Sequence, residues 1–167
     1  MDKRQWKALL NIISNDKSKP ALCGLYSEDD GKTWWGTNGY TAVEITVEGA
    51  KVGKKKWFIN RDMIEQRVKQ MDARKGVMGI DEVPAIDGEY VPYPDITIII
   101  SPLKEPVELS SIIINPNFLV DIDLLVGEMV SGVEMKFYGK NSPVIIEQMM
   151  ESMYAKVKGI VMPKKGA

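Results

Sequence analysis

The sequence predicts an α+β chain made of two similar halves, each a helix followed by antiparallel strands, with a helical and loop insertion in the middle. Three observations carry this. Near each end an apolar stripe recurs at helical spacing behind a capping residue. Each stripe leads into short extended runs broken by Gly, Asn and Asp turns. Between them, residues 51–75 hold nine Lys/Arg against three Asp/Glu, and residues 76–94 are rich in Gly, Pro and acids. The expected layout is one domain: a first half over about 1–50, an insertion over about 51–106 and a second half over about 107–167.

Asp2 with Gln5 three residues on forms a capping box, and Trp6, Leu9, Leu10 and Ile13 make the apolar stripe that follows. Ser18, Lys19 and Pro20 end that region, and Ala21 to Ser27 reads as a strand. Asp29, Asp30 and Gly31 turn the chain into Thr33 to Gly36, and Thr37-Asn38-Gly39 turns it again into Tyr40 to Val47. In the middle, Trp57 to Ile59 reads as a short strand. Asn60 then caps a helix running to about Ala73, with Met63, Ile64, Val68 and Met71 inward. Gly76 to Pro94 is a long loop or ordered excursion, the kind of segment that carries a role. The β-branched run Asp95 to Ser101 and the stretch Val107 to Ile114 read as strands, separated by a turn over Pro102 to Pro106. Asn115 caps the last helix with Pro116 at its first position. Phe118, Leu119, Ile122, Leu125, Val126 and Met129 form its apolar face. Val133 to Tyr138 and Pro143 to Gln148 form a hairpin through Gly139 to Ser142, and a final extended run ends at Ile160 to Pro163.

Composition narrows the chemistry. The chain of 167 residues has a formal net charge of −1, so a surface for a polyanion must be a local patch. Histidine is absent, which removes Ser-His-Asp and Cys-His nucleophilic sites and the usual zinc ligands. The one cysteine, Cys23, reads as a buried small hydrophobe, and no disulfide framework or thiolate zinc site can be built. No phosphate-binding glycine loop is present. Carboxylate-only catalysis would have to use Asp121 with Asp123, or Glu28-Asp29-Asp30. The first pair does not share a helix face, and the second set reads as a turn. No metal and no cofactor is expected. The charged N-terminus is unlike a signal peptide and no apolar run is long enough to span a bilayer, so no membrane is expected and the expected compartment is the cytoplasm, bacterial or of a phage-infected cell.

The order of several pieces resembles the bacterial sliding clamp, the beta subunit of DNA polymerase III. Asn117-Phe118 opens a helix, Ser142-Pro143-Val144 opens a strand, and Ile160 to Lys164 closes the chain on an apolar run plus a basic residue. Earlier, Gly24-Leu25-Tyr26 and Gly36-Thr37-Asn38-Gly39-Tyr40-Thr41-Ala42-Val43 resemble the family's strand and turn motif, with Tyr40-Thr41 where the family usually has a basic pair. The run from Trp57 to Met71 also resembles the clamp pattern of a strand feeding a helix. It competes with Ile112 to Met129 for the role of second clamp helix, and the later segment is favoured because the closing strands follow it.

The resemblance implies a DNA-clamp-like domain without catalysis, acting with DNA replication machinery as a processivity factor. Basic helix faces would track duplex phosphates without reading bases. The candidates are Lys3, Arg4 and Lys7 on the first helix and Arg61, Arg67, Lys69, Arg74 and Lys75 on the middle one. The third helix carries Asp121, Asp123 and Glu128 and no Lys or Arg, unlike a DNA-facing helix. Lys54 to Lys56 reads as a solvated strand edge. A groove for peptides of a polymerase or clamp loader would use Thr37, Gly39, Tyr40, Thr41 and Ala42 with Ile160, Val161, Met162 and Pro163. In the family these two sets come from neighbouring domains, so a complete groove here is expected between subunits of a homo-oligomer. With room for one domain, encircling DNA would take about six copies by the family's domain count. The alternative is a clamp-fold adaptor or inhibitor of replication proteins that does not encircle DNA.

Overall fold

The computed structural model describes residues 1–71, 76–96, 98, 103, 105–107, 113–126, 133–148 and 155–163. Among these, helix α1 (Lys3–Ile12) is followed by β1 (Gly24–Ser27), β2 (Thr33–Thr37) and β3 (Thr41–Val47). Then come β4 (Trp57–Asn60), α2 (Arg61–Gln70) and the two-residue β5 (Ile86–Asp87). The chain closes with α3 (Pro116–Val126), β6 (Val133–Phe137), β7 (Val144–Gln148) and β8 (Ala155–Val161). The fold is α+β: one antiparallel sheet of eight strands in the order β5-β4-β1-β2-β3-β8-β7-β6, with the helices on one face. The central pair is β3 with β8, in register from Thr41 opposite Val161 to Val47 opposite Ala155. Each strand of that pair ends a unit of one helix and three antiparallel strands, α1-β1-β2-β3 and α3-β6-β7-β8.

Local chemistry sets the ends of the elements. The Asp2 carboxylate accepts from the N–H groups of Arg4 and Gln5 at 2.7 and 2.8 Å, and Gln5 Oε1 accepts from the Asp2 N–H at 2.8 Å. Asn60 and Asn115 accept from the N–H groups of Asp62 and Asn117 and open α2 and α3. Gly39, at φ +93°, turns β2 into β3.

Alternation along the strands makes two apolar faces. Val43, Ile45, Val144, Ile146, Val157 and Val161 meet Trp6, Leu9, Ile12, Ile64, Val68, Ile122 and Leu125 in the helix-side core. On the opposite face Ala42, Ile145 and Ile160 gather with Ile96, flanked by Trp35, Tyr93, Leu103 and Tyr138. The sequence between residues 51 and 94 is part of the same layers. β4 pairs with β1, α2 packs beside α1, and the excursion after Gly76 sends Met78, Ile80 and Val83 into the core before β5 pairs with β4.

Several expected strands differ. Pro20–Leu22 is a 3-10 turn, so β1 starts at Gly24 rather than Ala21. In the run 95–101, Asp95 has no regular structure, Ile96 lies in a turn and Ile98 is helical, with 97 and 99–101 outside the described residues. β-propensity needs a ladder partner to act on, and Ile96 instead plugs into the second apolar cluster. Val107, Ile113 and Ile114 are not in strands either. The Val107 N–H donates to Phe137 O at 2.6 Å at the margin of β6, and residues 108–112 lie outside the described set, as does Met129.

Candidate functional site

Helix α1 sits between α2 and α3 and is antiparallel to both, because its N-terminal side chains reach the C-terminal carbonyls of the other two. Lys3 Nζ donates to Met71 O at 2.8 Å, and Gln5 Nε2 donates to Leu125 O at 3.0 Å. Arg61, the first residue of α2, returns the contact. Its guanidinium donates to the carbonyls of Leu10 and Ile13 at the end of α1 and, through Nε, to Glu65 at 2.8 Å. Lys3 and Arg61, both sequence candidates for phosphate, thus cap helix C-termini, where cations are favoured. Arg4, Lys7, Arg67 and Lys69 are the sequence candidates exposed on the adjoining helices α1 and α2. Arg4 also lies 3.9 Å from the Asp2 carboxylate. Arg74 and Lys75 fall outside the described residues.

Helix α3 offers something else. Its exposed positions are Pro116, Asn117, Val120, Asp123 and Leu124, and Asp121 accepts from Asn11 Nδ2 of α1 at 2.9 Å. The tempting pair Asp121 and Asp123 is therefore split between a helix–helix contact and solvent. Asp29 accepts from Ser27 Oγ and the Thr33 N–H, which fixes its carboxylate in the β1–β2 turn. Among the described residues no three acid or cysteine side chains converge as metal ligands. Cys23 is buried and its thiol donates to Asp16 O. Lys55 stands over the Trp57 ring and Lys56 reaches Glu89, so the lysine run lies in the loop before β4.

The turn motif and the closing run meet within one chain. Thr41 and Ala42 pair with Val161 and Ile160, and the Met162 N–H donates to Tyr40 O at 3.0 Å. Thr37 Oγ1 donates to Thr41 O, and the Gly39 N–H donates to Thr37 Oγ1. Thr37, Thr41, Ala42, Ile160 and Val161 are buried, while Tyr40 is 68% exposed and Met162 and Pro163 are half-buried. Any peptide here would meet Tyr40, Met162 and Pro163 as a rim, with the others holding the strands beneath. The buried Thr41 hydroxyl has no hydrogen-bond partner among the described residues. Sequence reasoning passed over the exposed Val120 and Leu124, four residues apart on α3; the signal was their place outside the stripe of Phe118, Ile122 and Leu125.

No family model matches the sequence, and no curated protein does. Solved structures do. The chain matches the Helicobacter pylori beta clamp in complex with diflunisal at TM-score 0.65 and 13% identity, covering 98% of this chain and 64% of that one. It matches the DNA polymerase sliding clamp of Bacillus subtilis at TM-score 0.64 and 12% identity, covering 99% and 62%. The chain has the sliding-clamp fold. It also matches the Helicobacter pylori beta clamp bound to a DNA ligase peptide, at TM-score 0.61 and 13% identity over 98% and 63% of the two chains. The chain thus spans somewhat under two thirds of the length of the clamps it matches. Among the described residues of this clamp fold no helix is long and apolar enough to cross a membrane.

Proposed function

We propose that this clamp-fold chain is a non-catalytic replication-associated protein that meets duplex DNA phosphates through α1 and α2, without sequence preference. The observation that carries the reading is the set of exposed cations Arg4, Lys7, Arg67 and Lys69 on two adjoining helices of a clamp-fold sheet. Lys3 and Arg61 serve this surface indirectly, by fixing α1 and α2 against each other. Arg74 and Lys75 extend the basic sequence beyond α2. On this reading several copies of the chain together encircle the DNA. The test is anisotropy of a labelled duplex across salt, with light scattering for the mass of the assembly. Log K should fall linearly with log salt, and Lys7→Glu with Arg67→Glu should lower the slope by about 0.9 for each phosphate no longer neutralised. A monomer at all concentrations that ignores duplex DNA would sink the reading.

A second reading has its own support. Helix α3 carries no Lys or Arg and exposes Val120 and Leu124, so the helix layer is not uniformly suited to phosphate. An adaptor or inhibitor that docks on replication proteins without encircling DNA fits that surface better. The rim of Tyr40, Met162 and Pro163, above Thr37, Gly39, Thr41, Ala42, Ile160 and Val161, is the proposed seat for a partner peptide on either reading. Salt-insensitive binding to a polymerase or clamp loader, with no affinity for DNA, would select the second.

A further inference from the structure

On the sheet face opposite the helices, residues 88–96 leave the β5 edge and cross β1 toward the central pair β3–β8. They are held there by side chains and not as a strand. The Gly88 N–H donates to Lys56 O at 3.0 Å, but beyond it the Val91 N–H donates to Gly88 O and the Tyr93 N–H to Val91 O, inside the segment. Two side chains seat it. The Tyr93 ring stacks on Tyr26 of β1 at 4.9 Å between centroids and 13° between planes. Ile96, 5% exposed, sits with Ala42 of β3, Ile145 of β7 and Ile160 of β8. The packing beneath is incomplete. An open cleft of about 250 Å³ remains beside β1 and β2, between segment and sheet, with Tyr26, Thr33 and Trp35 on one wall and Tyr93, Pro94 and Ile96 on the other. The Tyr93 hydroxyl is buried and has no hydrogen-bond partner among the described residues, a cost that water removes whenever the ring lifts away. A segment without a ladder, seated over a cleft and burying an unpaired hydroxyl, belongs to the parts of a fold that open first.

The covered surface adjoins the proposed peptide seat. Side chains alternate along β3 and β8, so Tyr40 and Met162 share this face with Ala42 and Ile160, two residues further along each strand. Ile96 therefore rests on the floor of the seat whose rim is Tyr40, Met162 and Pro163. We infer that Ile96 is a built-in plug: it fills an aliphatic socket formed by Ala42, Ile145 and Ile160, and a partner peptide takes the seat by displacing the segment and placing an aliphatic side chain of its own there. The socket sets the choice of side chain. Its walls are apolar, with Trp35, Leu103 and Tyr138 around them, so a charged or amide group would be buried without a partner. The space is that of one isoleucine among close-packed neighbours, which suits Leu, Ile, Val or Met and overpacks a larger ring. Displacement divides the intrinsic affinity of any partner by the fraction of chains that are open, so the plug sets a threshold on binding. The inference rests on the peptide seat proposed above and not on DNA contact.

The probe is a synthetic peptide of residues 90–98 of this chain, titrated into the full-length protein by calorimetry. Tyr93→Ala combined with Ile96→Asp empties both seats, because a carboxylate does not enter an apolar socket. The peptide should bind that variant at least about tenfold more tightly than the parent, whose tethered copy competes at an effective concentration on the order of millimolar. The same peptide carrying Asp in place of the isoleucine of position 96 should lose this binding. Equal affinity for the two chains, no binding to the emptied chain, or undiminished binding of the Asp-bearing peptide would overturn the assignment. Native-state hydrogen exchange at low urea tests the unaltered chain, whatever the double variant does to the fold. The amides of Val91 and Tyr93 should exchange at least about tenfold faster than the ladder amides of β3 and β8, with little dependence on urea. Tyr93→Phe, which deletes the unpaired hydroxyl, should slow them. A shared rate and urea slope would mean that the segment opens only with the whole sheet, and an unmoved rate in Tyr93→Phe would mean that the opening does not lift the ring; either overturns the plug. Neither measurement involves DNA or a replication protein, so a plug that fails to exchange is told apart from a rim that binds no partner.

Discussion

Helices α1 and α3 take matching places on the sheet and show opposite chemistry to solvent. Each precedes three antiparallel strands, and each approaches the sheet over a glycine. A Cβ at Gly36 would lie 2.6 Å from Ile13 Cγ2 at the end of α1, and one at Gly159 would lie 2.5 Å from Ile122 Cδ1 of α3. Inward, both bury aliphatic side chains against the same core. Outward, α1 shows Arg4, Lys7 and Asn11, whereas α3 shows Asn117, Val120, Asp123 and Leu124. Packing constrains only the inward stripe of an amphipathic helix. The outward stripe is open to function, and here the two stripes differ. Equivalent position in a symmetric fold therefore does not confer equivalent binding.

Helix α1 is also the hub, since it packs on both α2 and α3. Trp6 is fully buried and its indole donates to Met78 O at 3.2 Å. Trp6→Ala should give the largest loss of the set, about 3–5 kcal/mol in urea unfolding. Leu125→Ala on α3 should fall toward the low end of about 2–5 kcal/mol. A reversal of that order would remove α1 from the centre of the fold.

Next in size are the bonds that lock the helices together. Arg61→Ala strips donors from the end of α1 and leaves Glu65 without its partner. It should destabilise by about 1.5–3 kcal/mol, the range for hydrogen bonds to charged groups. Lys3→Ala removes one bond to Met71 O and should cost less, about 1 kcal/mol. If both variants unfolded like the parent yet bound DNA more weakly, the two cations would be phosphate ligands rather than caps. Gly159→Ala should destabilise by about 1–3 kcal/mol through overpacking on Ile122. On the α1–α2 reading of DNA contact, it should leave the salt slope of DNA binding unchanged.

What the sequence reveals in advance depends on the reach of each signal. The capping box at Asp2, the caps Asn60 and Asn115, and the turns at Gly39 and Gly139 are local, and the residues announce them. The apolar stripe Ile122, Leu125 and Val126 is periodic and equally plain. Ile96 departs from the expected strand because its place is decided by a patch assembled from β3, β7 and β8, far off in sequence. Arg61 looks like a surface cation in the sequence because the carbonyls it caps belong to another helix end, 48 and 51 residues earlier. The stack of Tyr26 on Tyr93 is invisible there for the same reason: the two rings meet only after folding.

The smallest effect tests the second half from its other face, where β6 and β7 carry charge instead of the aromatic cleft found beside β1 and β2. Glu134 and Glu147 stand directly opposite each other, an unfavourable pairing by itself. Lys136 resolves it, with Nζ 2.7 Å from Glu147 and 3.3 Å from Glu134. Lys158, paired with Glu44 at 3.0 Å, sits opposite Glu147 on β8. The hydrogen bond from Lys136 holds the Glu147 carboxyl below its ordinary value, and the bonds to Glu147 and Glu134 hold the Lys136 ammonium above its own. A depressed carboxyl contributes stability that is present above its unfolded pKa, about 4.3, and is lost as pH falls through the folded value. A raised ammonium contributes stability that is present below about 10.4 and is lost as pH rises through the folded value. The row therefore helps the fold between those limits and fades outside them. Glu147→Gln should lower the thermal midpoint slightly near neutral pH and converge with the parent at strongly acid pH. A gap that persisted there would trace the effect to β7 packing rather than to charge.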